Sequence, residues 1–246
     1  MTAGFTGNTA VKDIVVTHPE TRVVLERLGI DYCCGGKTSL TQAAQHAGVS
    51  VDQVLAELDR ALEAGRSSDS AEDWAAASAT ELADYIERTH HVFMREQLPR
   101  LVGLLDKTLR AHAQRHGDML KQLQRSLIAL RTDIELHLAK EEQILFPFIR
   151  QIEAWQQGGG PVPEMHCGTV ANPIGQMEFE HEQAGEILAR IRAITSDFRL
   201  PEDACETFRA LYDGLREMES DLHEHIHLEN NILFPKAIEV EAQTPR

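Results

Sequence analysis

One segment of this chain occurs twice. Residues 137–147 read HLAKEEQILFP, and residues 225–235 read HIHLENNILFP. Each copy contains His-x-x-x-Glu, followed by Leu-Phe-Pro. Residues four apart share one face of a helix, so each His-Glu pair lies on one face. In both copies the pair continues an apolar stripe. The stripe residues are Leu123, Leu127, Leu130 and Ile134 in the first copy, and Leu211, Leu215, Met218 and Leu222 in the second.

An imidazole and a carboxylate that face a helical core are costly to bury without a compensating partner. Two such pairs on two helices therefore predict a metal centre. The predicted ligands are His137 and Glu141 from the first copy, and His225 and Glu229 from the second.

A single histidine precedes each copy on a further apolar face. The first is His91, on a stripe with Met94, Leu98, Leu101 and Leu105. The second is His181, among Met177, Leu188, Ile191 and Phe198. Four helices would then supply four imidazoles and two carboxylates, more than a zinc ion with four ligands needs. The donors fit two iron ions bridged by carboxylates and a solvent-derived oxygen, since imidazole and carboxylate suit iron.

Periodicity leaves one choice of histidine open. His90 and His91 are adjacent, and Ile86 and Phe93 outline a neighbouring stripe that would take His90 instead. The other histidines are expected not to be ligands, although His112 continues the stripe of His91 toward the far end of the bundle. They are His18, His46, His112, His116, His166, His223 and His227.

Three carboxylates lie next to predicted ligands in the sequence. Glu142 follows Glu141, and Glu180 and Glu182 flank His181. We expect these side chains to be solvated or to lie around the ligands. Replacing Glu142 by alanine is accordingly expected to leave the metal content almost unchanged.

Composition excludes several functional classes. The formal charge of −15 argues against nucleic acid and anionic membranes as partners. No apolar run approaches the roughly 18–20 residues that span a bilayer. The N-terminus has no basic segment followed by an apolar core, so no secretory signal is expected. Four cysteines, two of them adjacent, do not indicate a disulfide framework. A soluble, cytoplasmic protein is expected.

Helical periodicity covers most of the chain, and strand signals are nearly absent, so the expected fold class is all-α. A small helical domain at residues 1–66 is predicted to precede a four-helix up-down bundle at residues 72–246. The polar stretch at residues 64–71 would form the linker and let the two domains move. The bundle helices are predicted at residues 79–114, 117–154, 173–198 and 202–241. The predicted N-caps are Thr38 or Ser39, then Ser50, and Asn172 for the third bundle helix.

The small domain contains an adjacent cysteine pair. Residues 31–37 read DYCCGGK, and its double glycine permits close approach of another group. Cys33 and Cys34 are interpreted either as a reactive thiol pair, with Lys37 favouring thiolate, or as two small buried residues in a tight turn. Cys167 and Cys205 are isolated, and no chemical role is expected for them.

These motifs together resemble the iron–sulfur cluster repair di-iron proteins, also called repair of iron centres proteins. The resemblance spans essentially the whole chain. It rests on DYCCGGK, on REQLP at 95–99, on KEEQILFP at 140–147, on EH at 180–181 and on LENNILFP at 228–235. It implies a hemerythrin-like bundle with an oxo- or hydroxo-bridged centre of two non-haem irons. The REQLP segment selects His91 over His90. The implied ligand set is His91, His137, Glu141, His181, His225 and Glu229, with the glutamates as bridges.

The resemblance also implies a function. Such proteins are linked to the recovery of iron–sulfur enzymes after nitric oxide or peroxide damage. We therefore expect this chain to supply iron to damaged iron–sulfur proteins, with Cys33 and Cys34 as a thiol relay. Two alternatives stay open: nitric oxide reduction at the di-iron centre, which would make it an enzyme, or a carrier or sensor of dioxygen or nitric oxide. The cysteine pair argues against a pure carrier. The oligomeric state is left open, with a homodimer as one option.

Overall fold

The computed structural model describes residues 4–65, 73–158, 163–165 and 168–243. Helices dominate these residues, which contain no β-strand and a single antiparallel bridge between Ala10 and Ser39. The expected all-α fold class is confirmed. Most of the predicted linker, as well as His166 and Cys167, lies outside the described residues.

Short helices make up the N-terminal part of the chain. They are α1 (Val11–Thr17), a 3-10 turn (Pro19–Thr21), α2 (Arg22–Arg27), α3 (Leu40–His46) and α4 (Val51–Gly65). The predicted caps of α3 and α4 are confirmed. Ser39 forms a capping box with Gln42, and the hydroxyl of Ser50 accepts from the backbone N–H of Gln53.

Longer helices follow, and three of them are interrupted or ended by a π turn. The segments are α5 (Ala79–Ile86), π1 (Glu87–His91), α6 (Val92–Lys140), π2 (Glu141–Leu145), α7 (Phe146–Gln156), α8 (Ala171–Ile194), α9 (Glu206–Leu228), π3 (Glu229–Leu233) and α10 (Phe234–Ala242). A π turn inserts an extra residue into a helix and is frequent at functional sites.

Helix α6 contains the reversal between the first two bundle helices. The amide Nε2 of Gln124 donates to Oδ1 of Asp106 at 2.7 Å. In a straight helix, the 18 residues between them would span about 27 Å. A helix end was predicted at residue 114, with a new start at residue 117. The chain does reverse between Asp106 and Gln124, so α6 consists of two helical segments with no non-helical residue assigned between them.

The starts of α8 and α9 differ from the prediction. Asn172 was predicted as the N-cap of α8, but the helix begins at Ala171, and the carboxylate of Glu241 accepts from the backbone N–H of Val170 at 2.8 Å. A carboxylate distant in the chain therefore replaces the predicted local cap. Helix α9 begins at Glu206, not at residue 202. Before it, residues 196–198 adopt left-handed φ values of 51°, 60° and 55°.

The bundle core consists of the predicted stripes. All sixteen stripe residues are at most 3% exposed. Their burial confirms that the 3.6-residue periodicity identified the inner faces of the helices.

The chain divides into two compact units. One consists of Met1–Ser78 together with Ile226–Lys236, and the other of Ala79–His225 together with Ala237–Arg246. The division at residues 1–66 and 72–246 stays a prediction. None of the helices in the described part of the chain has the length and apolar character needed to cross a membrane.

Candidate metal centre

The six predicted ligands are all removed from solvent. Each is at most 2% exposed, and both glutamates are completely buried. Three of them lie at π turns: His91 ends π1, Glu141 begins π2 and Glu229 begins π3. His137 lies near the end of α6, His181 in α8 and His225 in α9. Buried carboxylates are unfavourable unless cations or hydrogen-bond donors face them. The two carboxylates buried among four imidazoles therefore require a cation or hydrogen-bond donors beside them.

The donor atoms of these residues form two groups, within each of which all atoms lie within 4.8 Å of one another. The first group contains His91, Glu141, His225 and Glu229. The second contains His137, Glu141, His181 and Glu229. Each group has two imidazoles of its own, and the same two glutamates belong to both. Two carboxylates shared between two sets of nitrogens form an arrangement that could hold two neighbouring cations.

Imidazole nitrogens surround both oxygens of Glu141. Oε1 lies 3.1 Å from Nε2 of His137, and Oε2 lies 3.4 Å from Nε2 of His91 and 3.9 Å from Nε2 of His225. Burial by itself raises the pKa of Glu141, but the facing histidines outweigh it and hold that pKa well below its usual value. The carboxylate is therefore ionised, as a metal ligand must be.

Two glutamates outside the donor groups orient ligand histidines. Oε1 of Glu142 lies 2.8 Å from Nδ1 of His91, and Oε2 of Glu180 lies 3.0 Å from Nδ1 of His137. A carboxylate at Nδ1 retains the proton there, so a ring that gives up its Nε2 proton on metal binding presents the Nε2 lone pair to the centre. The Nε2 atoms of His137 and His181 lie 3.0 Å apart. Converging nitrogens of this kind, together with two buried carboxylates, fit a cation of the iron class.

Each of these two glutamates also pairs with a basic side chain. Arg95 donates two hydrogen bonds to Glu142, at 2.7 and 2.8 Å, and Lys140 forms an ion pair with Glu180. Although burial raises the pKa of Glu142, the hydrogen bonds from Arg95 and His91 lower it below its ordinary value. The hydrogen bond from His137 lowers the pKa of Glu180 to about 2. Both groups therefore stay ionised at neutral pH.

The contacts of Glu142 argue against the expectation that its replacement by alanine leaves the metal content almost unchanged. Sequence periodicity placed Glu142 beside the ligand face, but could not show that residue 142 meets His91, which is 51 positions away. Glu182, by contrast, is exposed as expected. In the sequence, the available indication of the supporting roles of Glu142 and Glu180 was their position next to a predicted ligand, in EE at 141–142 and EH at 180–181.

His90, the alternative to His91, lies outside both donor groups. It is also buried, with Nδ1 3.0 Å from Oδ1 of Asp221, and its ring stacks on that of His225 with centroids 6.0 Å apart. His90 and Asp221 therefore support the ring of a predicted ligand. Sequence reasoning did not find Asp221, which precedes His225 by one helical turn.

The cysteine pair lies in a tight loop of the first unit. Oδ1 of Asp31 accepts from the backbone N–H groups of Cys33 and Cys34, and Oδ2 accepts from that of Gly35. A Cβ at Gly36 would lie 2.5 Å from the carbonyl oxygen of Tyr32. The predicted close approach at the double glycine is thus an approach of the loop to its own backbone.

The environment of Cys33 favours the protonated thiol. Its hydrogen bond with Cys34 and its burial raise its pKa well above the usual value, and Oδ1 of Asp31 lies 3.3 Å from its sulfur. The expected activation of this thiol by Lys37 is therefore not supported by the surroundings of Cys33. Cys34 is more accessible to solvent.

Two asparagines of the second repeat hold this loop within the first unit. Nδ2 of Asn231 donates to the carbonyl oxygen of Tyr32 at 3.0 Å, and Nδ2 of Asn230 donates to that of Cys33 at 3.4 Å. The ring of Tyr32 also meets the ring of His227 edge-on, with centroids 5.5 Å apart. Asn230 and Asn231, which stand where the first repeat has Glu142 and Gln143, thus contact the cysteine loop.

Two family models match this chain. Residues 82–237 match the hemerythrin HHE cation binding domain, and residues 7–62 match a domain of unknown function, DUF542. The chain is also similar over 226 residues to proteins named iron-sulfur cluster repair protein YtfE. The identity is 36% to the protein from Salmonella schwarzengrund (strain CVM19633), 38% to that from Escherichia coli O81 (strain ED1a) and 37% to that from Escherichia fergusonii. Each match covers 92% of this chain and 94% of the relative.

Proposed function

Because this chain belongs to the iron–sulfur cluster repair proteins that its relatives represent, and contains a hemerythrin HHE cation binding domain, we propose that it supplies iron to iron–sulfur proteins with clusters damaged by oxidants or nitric oxide. The proposed cofactor is a pair of non-haem iron ions, held by His91, His137, Glu141, His181, His225 and Glu229. The observation that carries this proposal is the pair of donor groups that share two glutamates.

The chemistry of the donors favours iron over its competitors. Imidazole and carboxylate suit iron, whereas thiolates would favour copper(I) or zinc, and none of the six donors is a thiolate. A single zinc would use only four of these donors. Bound iron would supply both the metal for transfer and the redox chemistry toward nitric oxide or dioxygen.

The residues around the ligands would set how firmly the iron is held. Glu142 and Glu180 keep a proton on the outer nitrogen of a ligand histidine and so orient the ring. Complete burial of Glu141 and Glu229 shields both carboxylates from bulk solvent. Protonation of a ligand competes with metal binding, so a fall in pH is one way to release the iron.

Cys33 and Cys34 are proposed as a transient acceptor of iron or of nitrosyl groups. A thiolate is a soft ligand for both. The donor atoms of Asp31, Cys33 and Cys34 lie within 4.8 Å of one another. Since Cys33 favours its thiol form, Cys34 would be the first of the two to react.

The test uses full-length protein loaded with ferrous iron under anaerobic conditions. Wild type should contain about two irons per chain, the number that six donors shared by two ions imply. It should restore activity to an iron–sulfur client pretreated with peroxide or nitric oxide, with loss of its own iron. Glu141→Ala should lose iron and repair together. Glu96→Ala, an exposed change on α6, should behave as wild type.

Three results would count against this function. Repair by metal-free protein, or full activity with a single bound zinc, would exclude iron supply from this centre. The third is catalytic conversion of nitric oxide to nitrous oxide by reduced protein that keeps its iron and does not restore the client. That result would assign the chain to nitric oxide reduction instead.

A further inference from the structure

A second cluster of metal-binding side chains lies in the second unit, beside the reversal of α6. The donor atoms of His112, His116 and Asp203 lie within 4.8 Å of one another. Nε2 of His112 lies 3.3 Å from the sulfur of Cys205, and Nε2 of His116 lies 2.8 Å from Oδ1 of Asp203. None of these four residues belongs to the donor groups around Glu141 and Glu229.

The local fold holds both imidazoles in place. His112 and His116 are four apart on α6 and share one helical face. Both rings meet the fully buried ring of Phe208 edge-on, with centroids 5.3 and 5.9 Å away. One aromatic side chain at the start of α9 therefore fixes two potential ligands from α6.

The other two donors come from the connection before α9. Oδ2 of Asp203 accepts from Nη1 of Arg115 at 3.0 Å, which leaves Oδ1 directed at His116. Cys205 immediately precedes α9, and its carbonyl accepts from the backbone N–H of Arg209 at 3.0 Å. The positive end of the α9 dipole favours a thiolate at this position.

Three donors, from His112, His116 and Asp203, lie within 4.8 Å of one another, but the sulfur of Cys205 falls outside that group and would have to move closer to complete a tetrahedral zinc site. With Zn–N and Zn–O bonds of about 2.0 Å and a Zn–S bond of about 2.3 Å, tetrahedral angles separate neighbouring donors by roughly 3.3–3.6 Å. The observed separations of 2.8 Å for His116 and Asp203 and 3.3 Å for His112 and Cys205 need to open by less than about 1 Å to reach it.

We propose that His112, His116, Asp203 and Cys205 bind a divalent ion of the zinc class, separately from the iron centre. Four donors of nitrogen, oxygen and sulfur type complete a closed tetrahedral site, and the sulfur disfavours magnesium and calcium. The ion would connect the reversal of α6 to the start of α9. It would thereby stabilise the end of the bundle that contains both the reversal of α6 and the connection before α9.

The competing interpretation is a metal-free network of hydrogen bonds. Asp203 already pairs with His116 and Arg115, and these contacts alone would connect the same two segments. Metal titration separates the two interpretations, because a metal-free network of hydrogen bonds gives no sulfur-to-metal charge transfer.

The experiment uses full-length protein that has first been saturated with iron. Co²⁺, a spectroscopic substitute for Zn²⁺, is then titrated into it. The protein should bind about one additional Co²⁺ per chain, with intense tetrahedral visible bands and a thiolate charge-transfer band. Zn²⁺ should displace it and raise the thermal unfolding midpoint. Cys205→Ser should lose the charge-transfer band, and the double variant His112→Ala/His116→Ala should lose both the extra ion and the thermal shift.

Two controls identify the site. His46→Ala removes an exposed imidazole of α3 and should behave as wild type. Cys33→Ala/Cys34→Ala should keep the charge-transfer band, which excludes the cysteine loop as its source. The proposal is overturned if wild type shows no such band, if the band persists in Cys205→Ser, or if the double histidine variant retains the extra ion. None of these readouts depends on repair activity.

Discussion

At the scale of single residues, the protons on the outer histidine nitrogens decide what the buried centre can bind. A histidine can offer a lone pair from Nε2 only if its proton lies on Nδ1 or is lost. Glu142 and Glu180 face Nδ1 of His91 and His137, and Arg95 and Lys140 keep those carboxylates in place. The nearest neighbours of the ligands therefore prepare the donors before any metal arrives.

Removal of Glu142 should weaken the iron centre. Glu142→Ala leaves Nδ1 of His91 without its carboxylate and frees Arg95, so the ring loses its fixed orientation. Loss of such a supporting carboxylate typically lowers metal affinity by about 10–100-fold. Competition with an iron chelator, measured as the rate and extent of iron loss, should show this decrease.

Glu182→Ala is the matched control for Glu142→Ala, because Glu182 also neighbours a predicted ligand but is exposed. It should lose iron at the wild-type rate. If the two variants lose iron equally fast, the contact between Glu142 and His91 has no influence on metal binding.

At the scale of elements, the three π turns change the direction of the helices' inner faces. An extra residue in a helical turn rotates every later side chain by about 100° around the axis. The turns occur at His91, Glu141 and Glu229. Pro147 and Pro235 follow π2 and π3 by two residues, where a missing N–H removes one donor from the helical ladder. The Phe-Pro of each repeat thus accompanies a local change of helix, in addition to marking the motif.

The cysteine loop should not tolerate a side chain at Gly36. A Cβ there would lie 2.5 Å from the carbonyl oxygen of Tyr32 and 3.0 Å from Cβ of Lys12, so backbone must move. Gly36→Ala should lower the free energy of unfolding by about 1–3 kcal/mol, as overpacking usually does. Urea denaturation, with amide exchange at residues 31–38, would measure this change.

Gly175→Ala provides the control, since a Cβ at that exposed position of α8 would meet nothing within 4 Å. It should be neutral or stabilise by up to about 1 kcal/mol, because alanine favours helix. Equal stability of the Gly36→Ala variant and wild type would show that the loop relaxes without cost.

At the scale of the whole molecule, the first compact unit joins two distant parts of the chain. It contains the N-terminal helices and residues 226–236, and Asn230 and Asn231 hold the carbonyls of Cys33 and Tyr32 within it. The cysteine loop is therefore attached through its backbone, so a change of its side chains preserves these hydrogen bonds.

Replacing both thiols should separate repair from iron binding. Neither Cys33 nor Cys34 belongs to the two donor groups around Glu141. Cys33→Ala/Cys34→Ala should consequently keep the iron content and the absorption of the iron centre, but lose most of the client repair. Iron analysis and the repair assay on the same preparation would check both parts.

Gln45→Ala, an exposed change on α3 in the same unit, should retain both properties. Full repair by the double cysteine variant would assign a structural role to the pair. A loss of iron would show that the pair contributes to the centre itself.

The sequence alone determined the helical class and the faces that carry the six donors. Periodicity is a local property: residues three and four apart share a face whatever the rest of the chain does. For this reason the stripes through Leu127 and Leu215 predicted burial correctly. The pairs His137–Glu141 and His225–Glu229 could be assigned to inner faces in the same way.

Only the tertiary structure decided which neighbours those donors meet. The support from Glu142 and Glu180, and the contacts of His112 and His116 with Cys205 and Asp203, all involve residues far apart in the chain. Periodicity had also left His90 and His91 open, and the resemblance to a known family, not the periodicity, selected His91. The reversal inside α6 brings residues far apart in the chain together. Helical periodicity carries no information on these distances, because it repeats identically whether the chain continues straight or folds back.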